Sequence, residues 1–490
     1  MTSSTVYRWL PATEITQEWV HNLLKYSRLL HGRHPDTREV LGEVGQYLSL
    51  DRFPDIDFDT CELDQYLKLD RSKGVPIISL APVVQELQDF IEGTPGLFIY
   101  FHQMFDQVVR PKNAELRKME DYHDLMAAFN TILRSPPIYK DGPVRLVATM
   151  PFYAAIALFC DTPAGFNAFI HPEINTKIYN IYFKWQTLLE LSESRAVLSK
   201  EKGGWLSPEA LKVTVAHMGG DPEKEKFEDF YQCDINEPYY GFKSYDDFFA
   251  RELIPEKRAV ETPESPEIIN AACTATIHLL YPHLRETDSF WVKETPYSLR
   301  HMLGNHYLTG SFIGGTLLQG MLAPLDYHRW CSPVSGVIKA TFLIPGTYYA
   351  ARLDDLEDHY PNPLQDTQSV EYIRQGPLGR SQDFITAIAA RGLVFIEADA
   401  PVGLICFVAV GMGDVSTCRF AVKEGQKIKK GDPLGSFHLG GSTYCLILGP
   451  HLKVGLCTDT KTGEPLRSRT KDTPGSKVQV GRQLLIVEKN

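Results

Sequence analysis

The sequence predicts an α+β protein: a helical N-terminal domain over residues 1–205, a linking segment over 206–250, and a β-rich, sandwich-like domain over 251–490. Three observations lead there. Apolar residues recur at helical spacing in the first half, whereas the second half carries short apolar runs bounded by glycine and proline. The chain has 490 residues, 43% hydrophobic and 23% charged, enough for two or three domains around a large core without help from disulfides. No internal repeat or low-complexity segment interrupts that division.

Helices are expected where Glu18 to Tyr26 and Ile178 to Leu189 place apolar side chains three and four residues apart. Leu146 to Cys160 is also apolar, but it is too short and too interrupted to span a bilayer. Gly219-Gly-Asp-Pro222 and the charged run after it make 206–250 polar and turn-rich, with room for a short helix. Asp354 to Gln365, acidic and proline-containing, reads as a loop near the active site. Strands are expected at Leu393 to Ile396 and within Ala400 to Val410. Val422 to Gly435 has paired turns spaced as in biotin- and lipoyl-carrier β-sandwiches. It feeds into Gly440-Gly441-Ser442-Thr443 and the β-prone run Tyr444 to Leu448.

The formal charge is −11, with no long basic run, so nucleic acid and anionic membrane surfaces are poor electrostatic partners and a small molecule suits better. Nine cysteines are scattered without C-x-x-C spacing, which points to a reducing compartment and mostly buried thiols. The N-terminus has no apolar signal core. A soluble, cytoplasmic protein without a stable membrane anchor is the expectation.

Two motifs carry chemistry. Gly440-Gly441-Ser442 sets a hydroxyl after two glycines, and a glycine without Cβ leaves the Gly441 carbonyl open to attack, so Ser442 is a candidate nucleophile on its own chain. The alternative is a turn hydroxyl bonded to its own backbone. Upstream, Ala323 to Gly336 contains Asp326-Tyr327-His328-Arg329. Together these resemble the phosphatidylserine decarboxylase family of pyruvoyl enzymes, in which a D-Y-H-R segment and a G-S-T or G-S-S segment build one active site. Further matching stretches are Ser244 to Leu253, Trp291-Val-Lys with Tyr297 to Leu299 and Leu303-Gly304, and Ile344 to Tyr348. Asp161 to Phe169, with Asn175, Trp185 and Gly203-Gly-Trp205, is similar to the N-terminal domain of fungal tryptophan-decarboxylase-like members, which act on free amino acids.

The resemblance implies a phosphatidylserine decarboxylase-like β domain and cleavage between Gly441 and Ser442, which leaves Ser442 as an N-terminal pyruvoyl group. That group takes the substrate amine and serves as an electron sink on loss of CO2, so no dissociable cofactor is needed. It also implies decarboxylation of a free, aromatic amino acid, and a homo-oligomer assembled through the β domain. His328, with an unperturbed pKa near roughly 6.5, is implicated in decarboxylation as a proton donor. Asp326, Tyr327, Arg329 and His438 are the candidate substrate-binding residues. The alternative for the D-Y-H-R segment is a loop ion pair between Asp326 and Arg329 with His328 merely packing.

One departure matters. The family's D-Y-H-R-x-H ends in a histidine that activates the serine, and an earlier S-A-A-D run supplies the acid orienting it; here those places hold Cys331 and Cys273. A thiol with an unperturbed pKa of about 8.5 is a poor stand-in for imidazole. The pair admits three readings: apolar fillers, a redox-sensitive pair, or, with His328, a Cys2His zinc site. Fillers are favoured, and no metal is expected. General-base help is typically worth about 10²–10⁴ in rate, so its loss predicts slow self-cleavage or an uncleaved chain. His438, beside the serine loop, is the histidine to test as a replacement base; His278 and His451 read as structural. The competing function is an uncleaved family member that has lost decarboxylation and serves as a repurposed enzyme or binding protein.

Overall fold

The structure, a computed structural model, describes residues 19–21, 23, 24, 27, 79–108, 119–141, 149–160, 162–287, 298–351, 381–414, 416–438, 442–470 and 473–488. Gly440, Gly441, Trp291 to Tyr297, the 354–365 run and the start of the 146–160 run lie outside them.

The first half is helical, as its periodicity predicts. Its main helices are α1 (Pro82–Gly93), α2 (Pro95–Gln107), α3 (Tyr122–Ile132), α4 (Pro151–Cys160), α5 (Pro163–Phe169) and α6 (Pro172–Glu190). Proline opens α1, α2, α5 and α6, where its fixed φ fits the helix and its missing N–H costs nothing. Asp121 and Thr162 cap α3 and α5 by accepting the N–H of the residue three further on. In α6, Ile174, Ile178, Ile181, Trp185 and Leu189 form one buried stripe. No helix among the described residues is long and apolar enough to cross a membrane.

The segment over 206–250 is packed rather than open. It holds α7 (Pro208–His217) and α8 (Tyr245–Phe249), and it buries Phe227, Tyr231, Phe242, Tyr245 and Phe248. The buried Arg251 guanidinium lies 4.4 Å from the Tyr231 ring and 5.1 Å from that of Phe248. Two short helices follow, α9 (Leu299–Met302) and α10 (Gln382–Ile388).

The remainder is β-rich: β1 (Ile268–Asn270), β2 (Ala275–Tyr281), β3 (Thr316–Leu322), β4 (Arg329–Cys331), β5 (Gly336–Ile344), β6 (Arg391–Ala398), β7 (Leu404–Gly411), β8 (Thr417–Phe420), β9 (Lys427–Ile428), β10 (Pro433–His438), β11 (Ser442–Leu448), β12 (Val454–Leu456), β13 (Lys477–Val478) and β14 (Gln483–Val487). An eight-stranded antiparallel sheet runs β13-β2-β3-β11-β7-β6-β5-β9, beside three-stranded sheets β4-β10-β8 and β1-β14-β12. Trp330 joins the large sheet to the first small one, its ring centroid 5.4 Å from Phe407, 5.1 Å from Phe437 and 6.2 Å from Phe420. β7 and β11 are central strands, which explains their nearly continuous apolar sequence.

Candidate active site

Ser442 is the first residue of β11, where its backbone pairs with Leu322 at the end of β3 and with Gly411 at the end of β7. The next two residues anchor the strand. The Thr443 hydroxyl donates to the Gly320 carbonyl at 2.9 Å and accepts from Gln319 Nε2 at 3.1 Å. The Tyr444 ring lies over Gly320, where an added Cβ would fall 2.4 Å from a ring carbon. Beyond Leu322 the chain runs directly into the D-Y-H-R segment.

That segment divides. Tyr327, Arg329 and Cys331 line a cavity of about 110 Å³ together with Arg258, Arg419 and Ser436. Asp326 is instead buried against Lys477 Nζ at 2.5 Å and His217 Nδ1 at 3.4 Å, and it also accepts the Ala323 N–H at 2.8 Å. Burial alone pushes its carboxyl up, but Lys477 and His217 outweigh burial and bring it down to about 2. His328 is buried, its ring centroid 4.5 Å from that of Phe249, and its carbonyl accepts the Phe437 N–H. Arg329 pairs with Glu252 at 3.2 Å and donates to the Ala250 carbonyl at 2.6 Å. The expected alternative of an Asp326–Arg329 loop pair is therefore not what forms, because Lys477 and Glu252 arrive from elsewhere in the chain.

Cys273 and Cys331 sit on neighbouring segments, the Cys331 N–H donating to the Ala272 carbonyl at 2.9 Å, and both thiols are free. Burial pushes Cys331 up to about 11 even with Arg258 and Arg329 pulling the other way, and burial pushes Cys273 up as well. Both are protonated at neutral pH, so neither supplies the missing base. Among the described residues no group of three His, Cys, Asp or Glu side chains is arranged to hold a metal ion.

Two buried groups were not legible as partners in the sequence. His438, the last residue of β10, places Nδ1 2.8 and 3.0 Å from the two carboxylate oxygens of Asp246 on α8. Gln186 on α6 donates to Asp246 at 2.8 Å. Burial raises the Asp246 carboxyl, yet the bonds from His438 and Gln186 hold it below the ordinary carboxylate value. The second group is Asp414, just past β7. It accepts the N–H groups of Phe152 and Tyr153 at 3.0 and 2.7 Å and the hydroxyls of Tyr349 and Tyr182 at 3.2 and 3.4 Å; the two phenols also touch each other. Burial dominates and raises its carboxyl to about 7. Asp246 does fall inside the matching stretch Ser244 to Leu253, but nothing local marks it out from Asp247; Asp414 carries no sequence signal.

His278 and His451 are each held by the fold. Burial, with Arg469 nearby, pushes His278 down to about 3, and His451 bonds the Val402 carbonyl at 3.1 Å.

Comparison with known proteins gives a consistent result. Two family models match, both described as phosphatidylserine decarboxylase, over residues 81–214 and 245–485. "Decarboxylase iboD" of Amanita muscaria is 40% identical over 321 residues, covering 65% of this chain and 89% of that protein. "L-tryptophan decarboxylase" of Psilocybe cubensis is 36% identical over 376 residues, 74% of this chain and 79% of its own length. "Phosphatidylserine decarboxylase proenzyme 3" of Schizosaccharomyces pombe is 28% identical over 265 residues, 54% of this chain and 24% of its own.

Proposed function

The chain belongs to the phosphatidylserine decarboxylase family, and we propose that it decarboxylates a free aromatic amino acid, using a pyruvoyl group it makes from Ser442. The observation that carries this reading is the place of Ser442 at the head of a central strand, paired with β3 and β7, one short connection from His328. The free amino acid is favoured by likeness to relatives named as tryptophan decarboxylases, which covers about three quarters of the chain and so reaches into the helical half.

The residues present suit such a group. Cleavage between Gly441 and Ser442 would leave the new chain end on β11, and β11, β13 and β14 remain hydrogen-bonded to strands of the upstream fragment. The two pieces thus stay one folded unit. In the cleavage, Ser442 Oγ bonds to the Gly441 carbonyl carbon, its proton leaves to a base and reaches the departing Ser442 nitrogen, and the amide becomes an ester. Loss of the Ser442 Cα proton then breaks the Cβ–O bond and frees the Gly441 carboxylate. Water finally releases the nitrogen as ammonia. The resulting carbonyl supplies the electron sink for CO2 loss. In this reading His328, which packs against Phe249, is the group that returns a proton to the substrate carbon.

Denaturing electrophoresis and intact mass of fresh protein test the reading, together with amine formation from L-tryptophan, L-tyrosine and L-phenylalanine. A fragment of residues 443–490 preceded by a pyruvoyl group, plus an aromatic amine, is the expected result. An intact chain that forms amine would refute the pyruvoyl route. An intact and inactive chain would favour the second reading, an uncleaved relative, which the protonated thiols of Cys273 and Cys331 support.

A further inference from the structure

The small sheet β4-β10-β8 sets a serine between two arginines. Ser436 on β10 pairs with Arg329 on β4 and with Arg419 on β8, and residues directly opposite one another in a sheet share a face. All three line the cavity of about 110 Å³, together with Arg258 and Glu252. Three guanidiniums thus stand on its wall against one carboxylate. Glu252 engages Arg329, and Glu190 on α6 engages Arg419. Arg258 makes no ion pair among the described residues, and its buried Nε has no hydrogen-bond partner. Such a wall suits a ligand that carries a negative group.

Behind the serine stands an oriented imidazole. His438 lies two residues further along β10, hence on the same face, and its Nε2 is 3.1 Å from Ser436 Oγ. Its Nδ1 is 2.8 and 3.0 Å from the two carboxylate oxygens of Asp246. A carboxylate only accepts, so Nδ1 carries the proton, Nε2 is left as an acceptor, and the Ser436 hydroxyl donates to it. Gln186 donates to Asp246 at 2.8 Å and fixes that carboxylate in turn. Alcohol, imidazole and carboxylate therefore follow one another in the order that activates a serine nucleophile, and the alcohol belongs to a residue of the cavity wall.

We propose that Ser436 is a nucleophile, with His438 as its base and Asp246 as the positioning residue, and that it takes the acyl group of a carboxylic ester whose second, anionic group is held by the arginines. Ser436 Oγ bonds to the ester carbonyl carbon as its proton passes to His438 Nε2. Arg329 and Arg419, directly opposite Ser436, bring N–H donors to the side on which the carbonyl oxygen takes up negative charge. The ester C–O bond then breaks, and the departing alcohol takes the proton from Nε2. Water next gives a proton to Nε2 and bonds to the acyl carbon, the bond to Oγ breaks, and Oγ regains its proton as the carboxylic acid leaves. This activity is separate from decarboxylation and does not depend on cleavage at Ser442, since Asp246, Ser436 and His438 all precede that bond in the chain.

The test gives the full-length protein two esters, the p-nitrophenyl half-ester of succinic acid, which carries a carboxylate, and p-nitrophenyl acetate, which does not. The half-ester should be preferred by about 10-fold or more in kcat/KM, and mass spectrometry of acid-quenched protein should place a succinyl group on Ser436. Ser436→Ala should abolish that adduct. His438→Gln keeps a hydrogen bond to Asp246 but not the base, and should slow acylation by about 10²-fold or more. Asp246→Asn should lower kcat by about 10-fold or more with KM unchanged, a split that a merely structural carboxylate would not produce. Arg258→Gln should raise KM for the half-ester by about 10-fold and leave the acetate ester unaffected. Should S436A not fold, the adduct map of the wild-type protein decides. Hydrolysis equally fast in wild type and S436A, or no acyl group on Ser436, would overturn the proposal, and an R258Q chain with unchanged KM for both esters would overturn the choice of an anionic ester.

Discussion

Two buried carboxylates follow the strands on either side of β11, and their proton affinities are shifted in opposite directions. Asp326 follows β3 and is buried against the Lys477 ammonium; Asp414 follows β7 and meets two backbone amides and two phenols. Both are almost completely removed from water. Yet Asp326 is brought down to about 2 and Asp414 is raised to about 7. Burial penalises both charges alike, so the difference lies in the partner. A full positive charge offsets the desolvation of a carboxylate, whereas neutral donors offset only part of it. One flank of the candidate site is therefore an ion pair and the other a carboxyl poised near neutrality.

The largest effect that would break this contrast is removal of the Asp326 charge. Asp326→Asn leaves Lys477, whose side chain is only 17% exposed, without its carboxylate. The expected loss is about 3–5 kcal/mol in urea unfolding, and Lys477→Met in the same chain should return most of it. A loss under about 1 kcal/mol would mean the ion pair does not set the charge on that flank.

Next in size is the opposite pH response of Asp414. Its folded-state pKa lies above the unfolded value, so its contribution is complete below about pH 4 and is lost as pH rises through about 7. Between pH 5 and 8 the wild type should lose about 3 kcal/mol relative to D414N. Parallel pH profiles for the two proteins would show that the amides and phenols stabilise a carboxylate after all.

The smallest effect sharpens the contrast from the acid side. The Asp326 pKa is depressed, so its contribution is present above about pH 4 and fades as pH falls toward 2, by about 2 kcal/mol. The wild type should show this acid limb and D326N should lack it. An unchanged limb in D326N would assign acid sensitivity elsewhere.

Local order was largely legible. The helical stripe of α6 follows from a 3.6-residue periodicity, and β6, β7 and β11 from short, nearly continuous apolar runs, each set by residues a few places apart. Ser442 heads a strand as two glycines before a β-prone run imply. The linking segment is polar and turn-rich in sequence, yet Phe227, Phe242, Tyr245 and Phe248 bury into a shared aromatic cluster that no period announces.

By itself, then, the sequence determined the division into a helical and a β-rich half, the family, and Ser442 with the two glycines before it as the candidate nucleophile, because each rests on residues close together in the chain. Tertiary structure alone decided which charged groups pair with one another. Asp326 lies 151 residues from Lys477, and Asp246 lies 192 from His438. No local pattern encodes such pairs, since a carboxylate or an imidazole takes its proton affinity from whatever the fold buries beside it.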